Sequence, residues 1–271
     1  YIKQYPELMA GKTVMYVHGF ASSGQSGTVT RLKTVLPEAN IVAPDLPLHP
    51  AEAMQLLKNI CDSEHPSLII GTSMGGMYTE QLSGYDRICV NPALEMGETM
   101  VSHGMMGAQT FQNPRQDGVQ EFIVTKALVK EYKEMTSHRF EHVTTEEQQR
   151  VFGLFGDNDT TVDTYNLFHE HYPNAIHFHG EHRMNDHSFM HSVVPVIRWI
   201  DDRQERRERP IIYIGVETLM DNYQKPTSSM LKAVRYLAEH YQLFFVAPAM
   251  SSDSTHYIDL TAWLTEHVGV P

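Results

Sequence analysis

Leu68-Ile69-Ile70-Gly71-Thr72-Ser73-Met74-Gly75-Gly76 is the stretch on which the reading of this chain turns. Ser67 to Ile70 is a short apolar run of strand type, and a helix is predicted from about Met77. Between them lies G-x-S-x-G with Ser73 at its centre. So tight a turn forces Ser73 into a strained conformation, and Gly71 and Gly75 let strand and helix approach closely. The helix N-terminus then aims free N–H groups at any anion formed beside the serine. The stretch predicts a serine nucleophile; an ordinary strand-to-helix turn is the competing reading.

Outward from this point, short β-rich runs alternate with helical patterns, which predicts a parallel sheet covered by helices on both faces. The strands are expected at 13–17, 41–43, 67–70, 87–90, 151–155 and 175–178. Helical spacing runs through 51–60, and a helix at 189–200 packs the last strand, interrupted by Pro195, which is expected to bend or delay it. The stretch from Asn91 to Arg150, with an amphipathic piece at 127–135, falls between two strands and suits a small cap. Met96, Met100, Met105 and Met106 fit either an adaptable apolar pocket or ordinary cap packing. After a boundary at 203–210, a strand (211–214), a helix (229–241), a strand (243–247) and a helix near 260–267 form a short βαβα piece.

A serine hydroxyl needs a base, an oxyanion hole and usually a carboxylate that fixes the base's tautomer. The loop after the first strand reads His18-Gly19-Phe20-Ala21-Ser22-Ser23-Gly24. Gly19 permits a turn aiming the Phe20 N–H inward, with the Met74 N–H as second donor. For the acid, Gly156-Asp157-Asn158-Asp159-Thr160-Thr161-Val162-Asp163 offers three aspartates. Asp159 is best placed, Asp157 is its rival, and Asp163 is expected to cap the next helix. For the base, His187 lies just before the final helix, and His182 is its rival.

The 271 residues carry a formal net charge of -12, from 33 acidic and 21 basic side chains. Such a surface repels phosphate backbones, so nucleic acid is not an expected partner. The one basic run, Arg203 to Arg209, is interleaved with Glu205 and Glu208 and reads as a linker. Cys61 and Cys89 suit reduced thiols used as small apolar groups. No apolar run reaches the ~18 residues of a membrane span. No signal peptide is recognised before the first strand, and the cytoplasm is the expected compartment. Tyr1 opens the chain without a methionine, which leaves room for an upstream segment.

Together these segments resemble the YqiA-like esterases, a small intracellular family of the α/β-hydrolase superfamily. The matching residues are His18-Gly19-Phe20 with Ser22-Ser23, Gly71 to Gly76, Asn91-Pro92-Ala93-Leu94, Gly156 to Asp163, and Asp186-His187-Ser188-Phe189. The resemblance covers roughly 11–201, an α/β-hydrolase domain of 1–203 with its cap at approximately 95–150. It implies hydrolysis of small-molecule carboxylic esters without a cofactor, with Ser73, Asp159 and His187 as the triad; the chain order Ser, Asp, His agrees. Nothing in the sequence separates ester from thioester, or fixes the oligomeric state. Residues 210–271 resemble the first half of a haloacid-dehalogenase-like phosphatase domain. There Gly215 stands at the nucleophile position and Glu217 at the acid/base position, so that segment is expected to be inactive.

Two other readings compete. His177-Phe178-His179-Gly180-Glu181-His182 resembles an H-x-H-x-[DE]-H zinc arrangement, because His177 and His179 share one face of a strand. Sixteen histidines make a chance cluster easy, however. A non-catalytic binding module on the same scaffold is the second alternative, and the apparent completeness of the triad argues against it.

Overall fold

The computed structural model describes residues 2–219, 226–249 and 254–269. In chain order the first strands are β1 (Thr13–Val17), β2 (Asn40–Val42), β3 (Leu68–Thr72), β4 (Arg87–Val90), β5 (Gly107–Thr110), β6 (Glu121–Val124), β7 (Val151–Gly156) and β8 (Ala175–Phe178). Six of them form a sheet in the order β2-β1-β3-β4-β7-β8, with every neighbouring pair parallel. A parallel sheet has both faces covered, so its strands are apolar at successive positions instead of alternating with polar ones.

The period-2 alternation of side chains divides the core in two. Val14 and Tyr16 of β1, Leu68 and Ile70 of β3, and Ile88 and Val90 of β4 face one layer. There they meet Val29, Leu32 and Val35 of helix Gly27–Val35 and Val196, Ile197 and Ile200 of helix Val194–Gln204. Met15, Val17 and Ile69 face the other layer, against Ala53, Met54, Leu57 and Cys61 of helix Pro50–Glu64. The architecture is α/β, a parallel sheet with helices on both faces.

Between β4 and β7 lie helix Met96–Ser102, the antiparallel hairpin β5–β6 and helices Lys126–Ser137 and Thr145–Arg150. Helix Lys126–Ser137 starts where the Thr125 side chain accepts from the Leu128 N–H. Its buried Leu128, Val129 and Tyr132 join the layer that holds Met74 and Met77. The hairpin and helix Gly27–Val35 are absent from the sequence reading. Gly107-Ala108-Gln109-Thr110 carries no apolar alternation, and Gly27-Thr28-Val29-Thr30 is poor in helix formers.

Pro195 delays the α-helix, one of the two effects its position allowed. A helical turn starts at Asp186–Ser188, widens into a π-turn at Phe189–Val193, and resumes as helix Val194–Gln204 with Pro195 in its first turn. Proline has no N–H to give to the preceding turn, and the wider turn leads into a fresh start of the α-ladder.

Beyond the main sheet, β9 (Ile211–Gly215) and β10 (Gln242–Val246) pair in parallel, with helix Ser228–His240 between them and helix Thr255–His267 after them. Met220, at the end of the Gly215–Met220 motif, lies outside the described residues. Helix Thr255–His267 runs along β8, the edge strand of the main sheet, where Thr265 Oγ1 comes within 3.5 Å of the His177 carbonyl. The basic run is tied down by acids instead of being freely solvated: Arg203 pairs with Asp86, Arg207 with Asp201, and Arg209 with Asp202.

Candidate active site

Strand order reverses between β1 and β3, because β2 lies outside β1 while β4 lies outside β3. The loops leaving those two strands diverge and open a crevice, the usual ligand position in such sheets. Ser73 sits there, one residue past β3, at φ 55 and ψ -118. Such a conformation costs a non-glycine residue about 1–3 kcal/mol and persists only where its surroundings over-determine it. They do so here. The Ser73 N–H donates to the Val90 carbonyl at 2.9 Å, and the Ser73 carbonyl accepts from Ala93 at 2.9 Å. A Cβ on Gly75 would stand 1.9 Å from the Val17 carbonyl oxygen, and one on Gly71 would stand 2.1 Å from Thr79 Oγ1. Helix and strand approach so closely that neither position tolerates a side chain.

Ser73 Oγ lies 2.9 Å from His182 Nε2, and His182 Nδ1 lies 2.7 Å from Asp159 Oδ2. The Asp159 side chain is almost wholly buried. Its other oxygen, Oδ1, accepts from the Thr161 N–H at 2.8 Å and the Val162 N–H at 3.0 Å. An ionised carboxylate only accepts, so His182 carries its proton on Nδ1 and presents a lone pair to the serine hydroxyl. That arrangement can take a proton from Ser73 and hold the imidazolium that results.

The structure therefore joins Ser73 and Asp159 to His182, and the sequence expectation of His187 as the base is corrected. His187 Nε2 donates to the Glu266 carbonyl at 2.9 Å and stands 3.2 Å from the Glu266 carboxylate. It belongs to the contact between the helical turn Asp186–Ser188 and helix Thr255–His267. The misplacement has a readable cause. Asn185 and Ser188 form a capping box, with the Ser188 N–H donating to Asn185 Oδ1 at 2.8 Å and the Asn185 N–H to Ser188 Oγ at 3.0 Å. The N-x-x-S spacing thus puts His187 inside the first helical turn, whereas His182 belongs to the free loop at the sheet's C-terminal edge.

That loop is held from below. Asn91 Nδ2 donates to the carbonyls of Glu181 (3.2 Å) and His182 (3.0 Å), while Asn91 Oδ1 accepts from the Gly156 N–H at 2.8 Å. A Cβ on Gly156 would meet the Gly180 carbonyl oxygen at 2.6 Å, so the loop crosses directly over that glycine. Asp157, the rival acid, receives His179 Nδ1 at 3.0 Å and the Gly180 N–H at 3.0 Å, while His182 Nδ1 pairs with Asp159. Asp163 does not cap the next helix; Thr164 holds that position.

Phe20 and Ser73 line the same cavity. Met74 opens its helix, where an N–H has no partner within the ladder. The Phe20 loop is fixed by His18, at its start. His18 Nδ1 donates to the Gly19 carbonyl at 2.8 Å, and its Nε2 accepts from the Leu46 N–H at 2.9 Å. Burial pushes His18 down to about 4, so it stays neutral in this role. Ser22 and Ser23 tie the loop to the segment between β5 and β6, Ser22 Oγ accepting from Asn113 Nδ2 and Ser23 Oγ donating to the Pro114 carbonyl.

The cavity beside Ser73 measures about 590 Å³. Met96 and Met105 line it, Met100 is buried in the core, and Met106 is exposed. The zinc reading finds no convergence: His177 is buried against the Tyr165 ring, His179 pairs with Asp157 near the surface, and His182 turns to Ser73. Among the described residues no group of three or more His, Cys, Asp or Glu is placed to hold a metal ion. Cys61 and Cys89 are free and buried, and burial pushes their thiols up to about 11 and about 12. No helix among the described residues is long and apolar enough to cross a membrane.

Among solved structures, the chain is similar to ferulic acid-bound Est1E from Butyrivibrio proteoclasticus, at 12% identity and a TM-score of 0.45 over 76% of this chain and 94% of that one. The α/β hydrolase GrgF from Penicillium sp. sh18 also gives 12% and 0.45, over 76% of this chain and 90% of that one. A hydrolase from Pseudomonas aeruginosa PA01 gives 11% and 0.42, over 66% and 85%. The comparisons lend no support to the haloacid-dehalogenase resemblance of 210–271. Residues 13–199 match the model described as "Uncharacterised protein family (UPF0227)", and the chain belongs to that family.

Proposed function

We propose that this protein is a serine hydrolase that cleaves carboxylic esters, with Ser73 as nucleophile, His182 as general base and acid, and Asp159 as the group that orients His182. The observation that carries the reading is the continuous line from Ser73 Oγ through His182 to Asp159, at 2.9 and 2.7 Å, beginning at a strained serine. His182 Nε2 takes the Ser73 proton as Oγ bonds to the ester carbonyl carbon. The oxyanion is met by the Phe20 and Met74 amides, each such donor contributing about 3–4 kcal/mol in comparable sites. The carbon–oxygen bond to the alcohol then breaks, and His182 returns the proton to the departing alkoxide. In the second half, water gives a proton to His182 and attacks the acyl carbon, and Ser73 recovers its proton as it leaves.

The same proposal takes 1–203 as the hydrolase domain, with a cap at about 95–150, and 210–271 as a structural appendage. Its partner is a small-molecule ester, and two unbridged buried thiols fit the reducing cytoplasm. The test is labelling with a fluorophosphonate probe, followed by turnover of p-nitrophenyl esters of graded chain length beside acyl-CoA thioesters. Label and turnover are expected in the native protein and absent in Ser73→Ala. An unlabelled Ser73 in folded protein would favour the non-catalytic module.

A further inference from the structure

We infer that the ester substrate carries an anionic group, a carboxylate or a phosphate, held in a subsite formed by Arg31 and the hydroxyls of Ser26, Thr28 and Tyr16. This deepens the hydrolase reading and rests on it.

The chain has twelve more acidic than basic side chains, yet the cavity containing Ser73 is lined by Arg31 and Arg183 and by no carboxylate. A protein of this net charge repels anions over most of its surface, so a cavity lined with the opposite sign marks what is admitted there. At about 590 Å³ the cavity falls in the range of small-molecule sites.

Its polar groups form a strip that begins beside the nucleophile. Thr72, the chain neighbour of Ser73, shares a 2.7 Å hydrogen bond with the Tyr16 phenol through its Oγ1. Ser26 and Thr28 flank the same phenol. Burial pushes Tyr16 above the usual phenol range, so it remains a neutral donor. Arg31 lies beyond and lines the same cavity. Its Nε donates to Asp186 Oδ1 at 2.6 Å, while its two terminal nitrogens make no hydrogen bond among the described residues. Ser26 Oγ is buried beside the Tyr16 phenol, its one polar neighbour there, and makes no well-formed hydrogen bond among the described residues. A buried polar atom without a partner is costly, and native structures rarely keep one without a use. An anion here would receive the terminal N–H groups of Arg31 and the serine hydroxyl together, in charge-assisted hydrogen bonds. A neutral chain end would offer neither of them an acceptor. Arg183 is the lesser contributor, because its Nη2 already donates to Gln112 Oε1 at 2.6 Å.

The experiment compares matched esters. p-Nitrophenyl valerate and mono-p-nitrophenyl glutarate differ by a methyl against a carboxylate at the end of the acyl chain. Butyl butyrate and 2-phosphoethyl butyrate place a phosphate on the alcohol side instead. In at least one pair the anionic member is expected to show kcat/KM about tenfold or more above its neutral partner. Arg31→Met should collapse that ratio to about threefold or less, Arg31→Lys should restore part of it, and Ser26→Ala should lower it independently. Neutral esters turned over equally well or better in both pairs would overturn the inference. So would an Arg31→Met variant that slows both members of a pair alike. Neutral turnover that depends on Ser73 but shows no anionic preference removes the subsite and leaves the hydrolase. Turnover of none of the four overturns the inference as well, and the fluorophosphonate label then decides whether the hydrolase reading falls with it.

Discussion

The side-chain amide of Asn91 and the backbone of His182 are joined by a 3.0 Å hydrogen bond across 91 residues of chain. Asn91 is buried, sits at φ 42, and simultaneously accepts from Gly156 at the end of β7. One amide therefore fixes the loop that carries the imidazole to the strand that leads to Asp159.

If that amide sets where the imidazole stands, Asn91→Ala should lower kcat about 10–100-fold with little change in KM, because errors of about 1 Å in placing a reacting group have costs of that order. Fluorophosphonate labelling of Ser73 should slow in parallel. A labelling rate equal to that of the native protein would show that the loop holds its place without Asn91.

Replacement of the two histidines separates their roles. His182→Ala should reduce turnover by about 10⁴-fold or more, as loss of a triad base does elsewhere. His187→Ala removes contacts to Glu266 and to the His191 ring, both away from Ser73, and should leave turnover within about threefold, the scale expected of a surface substitution. Ester assays on the two purified variants check the ranking, and the reverse order would return the base to His187.

The aspartates divide in the same way. Asp159→Asn should lower kcat about 10⁴-fold, since the amide favours the wrong imidazole tautomer. Asp157→Asn weakens the pair with His179, while its amide oxygen can still accept from the Gly180 N–H, and it should change turnover and stability little. Steady-state kinetics beside thermal melts would show it, and a large loss in Asp157→Asn would contradict the geometry.

His18 links stability to pH. Its folded-state value is held down to about 4, against 6.5 when unfolded, so the unfolded chain takes up the proton first as pH falls. The stability tied to neutral His18 is complete above about pH 6.5 and is lost progressively as pH falls toward 4. Between pH 7.5 and 5.0 the loss should come to about 2 kcal/mol. Urea unfolding at both pH values checks this, with His18→Gln expected to show a correspondingly smaller drop. An equal drop in both proteins would place the dependence elsewhere.

Much of this was legible in the chain itself. β1, β4 and β8 span the residues expected of them, because each is an apolar run bounded by polar or turn residues. The strained elbow was also readable, since strand, G-x-S-x-G and helix leave few alternatives. What stayed hidden depends on partners far away in sequence. Ser22 and Ser23 reach the β5–β6 hairpin about ninety residues on, and nothing local marks that reach. His182 and His187 differ by five residues and by no local property except the capping box that places one of them in a helix. The choice between them is made by Asn91 and Gly156, which bind the loop from other strands.

Helix Thr255–His267 has a consequence for how the molecule keeps to itself. β8 is the last strand of its sheet, and the His177 carbonyl points outward toward Thr265. Stripped of that helix, β8 would offer open ladder groups to any passing chain, the usual template for intermolecular strand addition. A protein truncated after Gln204 should therefore associate with itself at concentrations where the full chain does not, and light scattering on the two would register the difference. The tail then works as a guard on the sheet's margin, a duty that requires neither a nucleophile nor a metal.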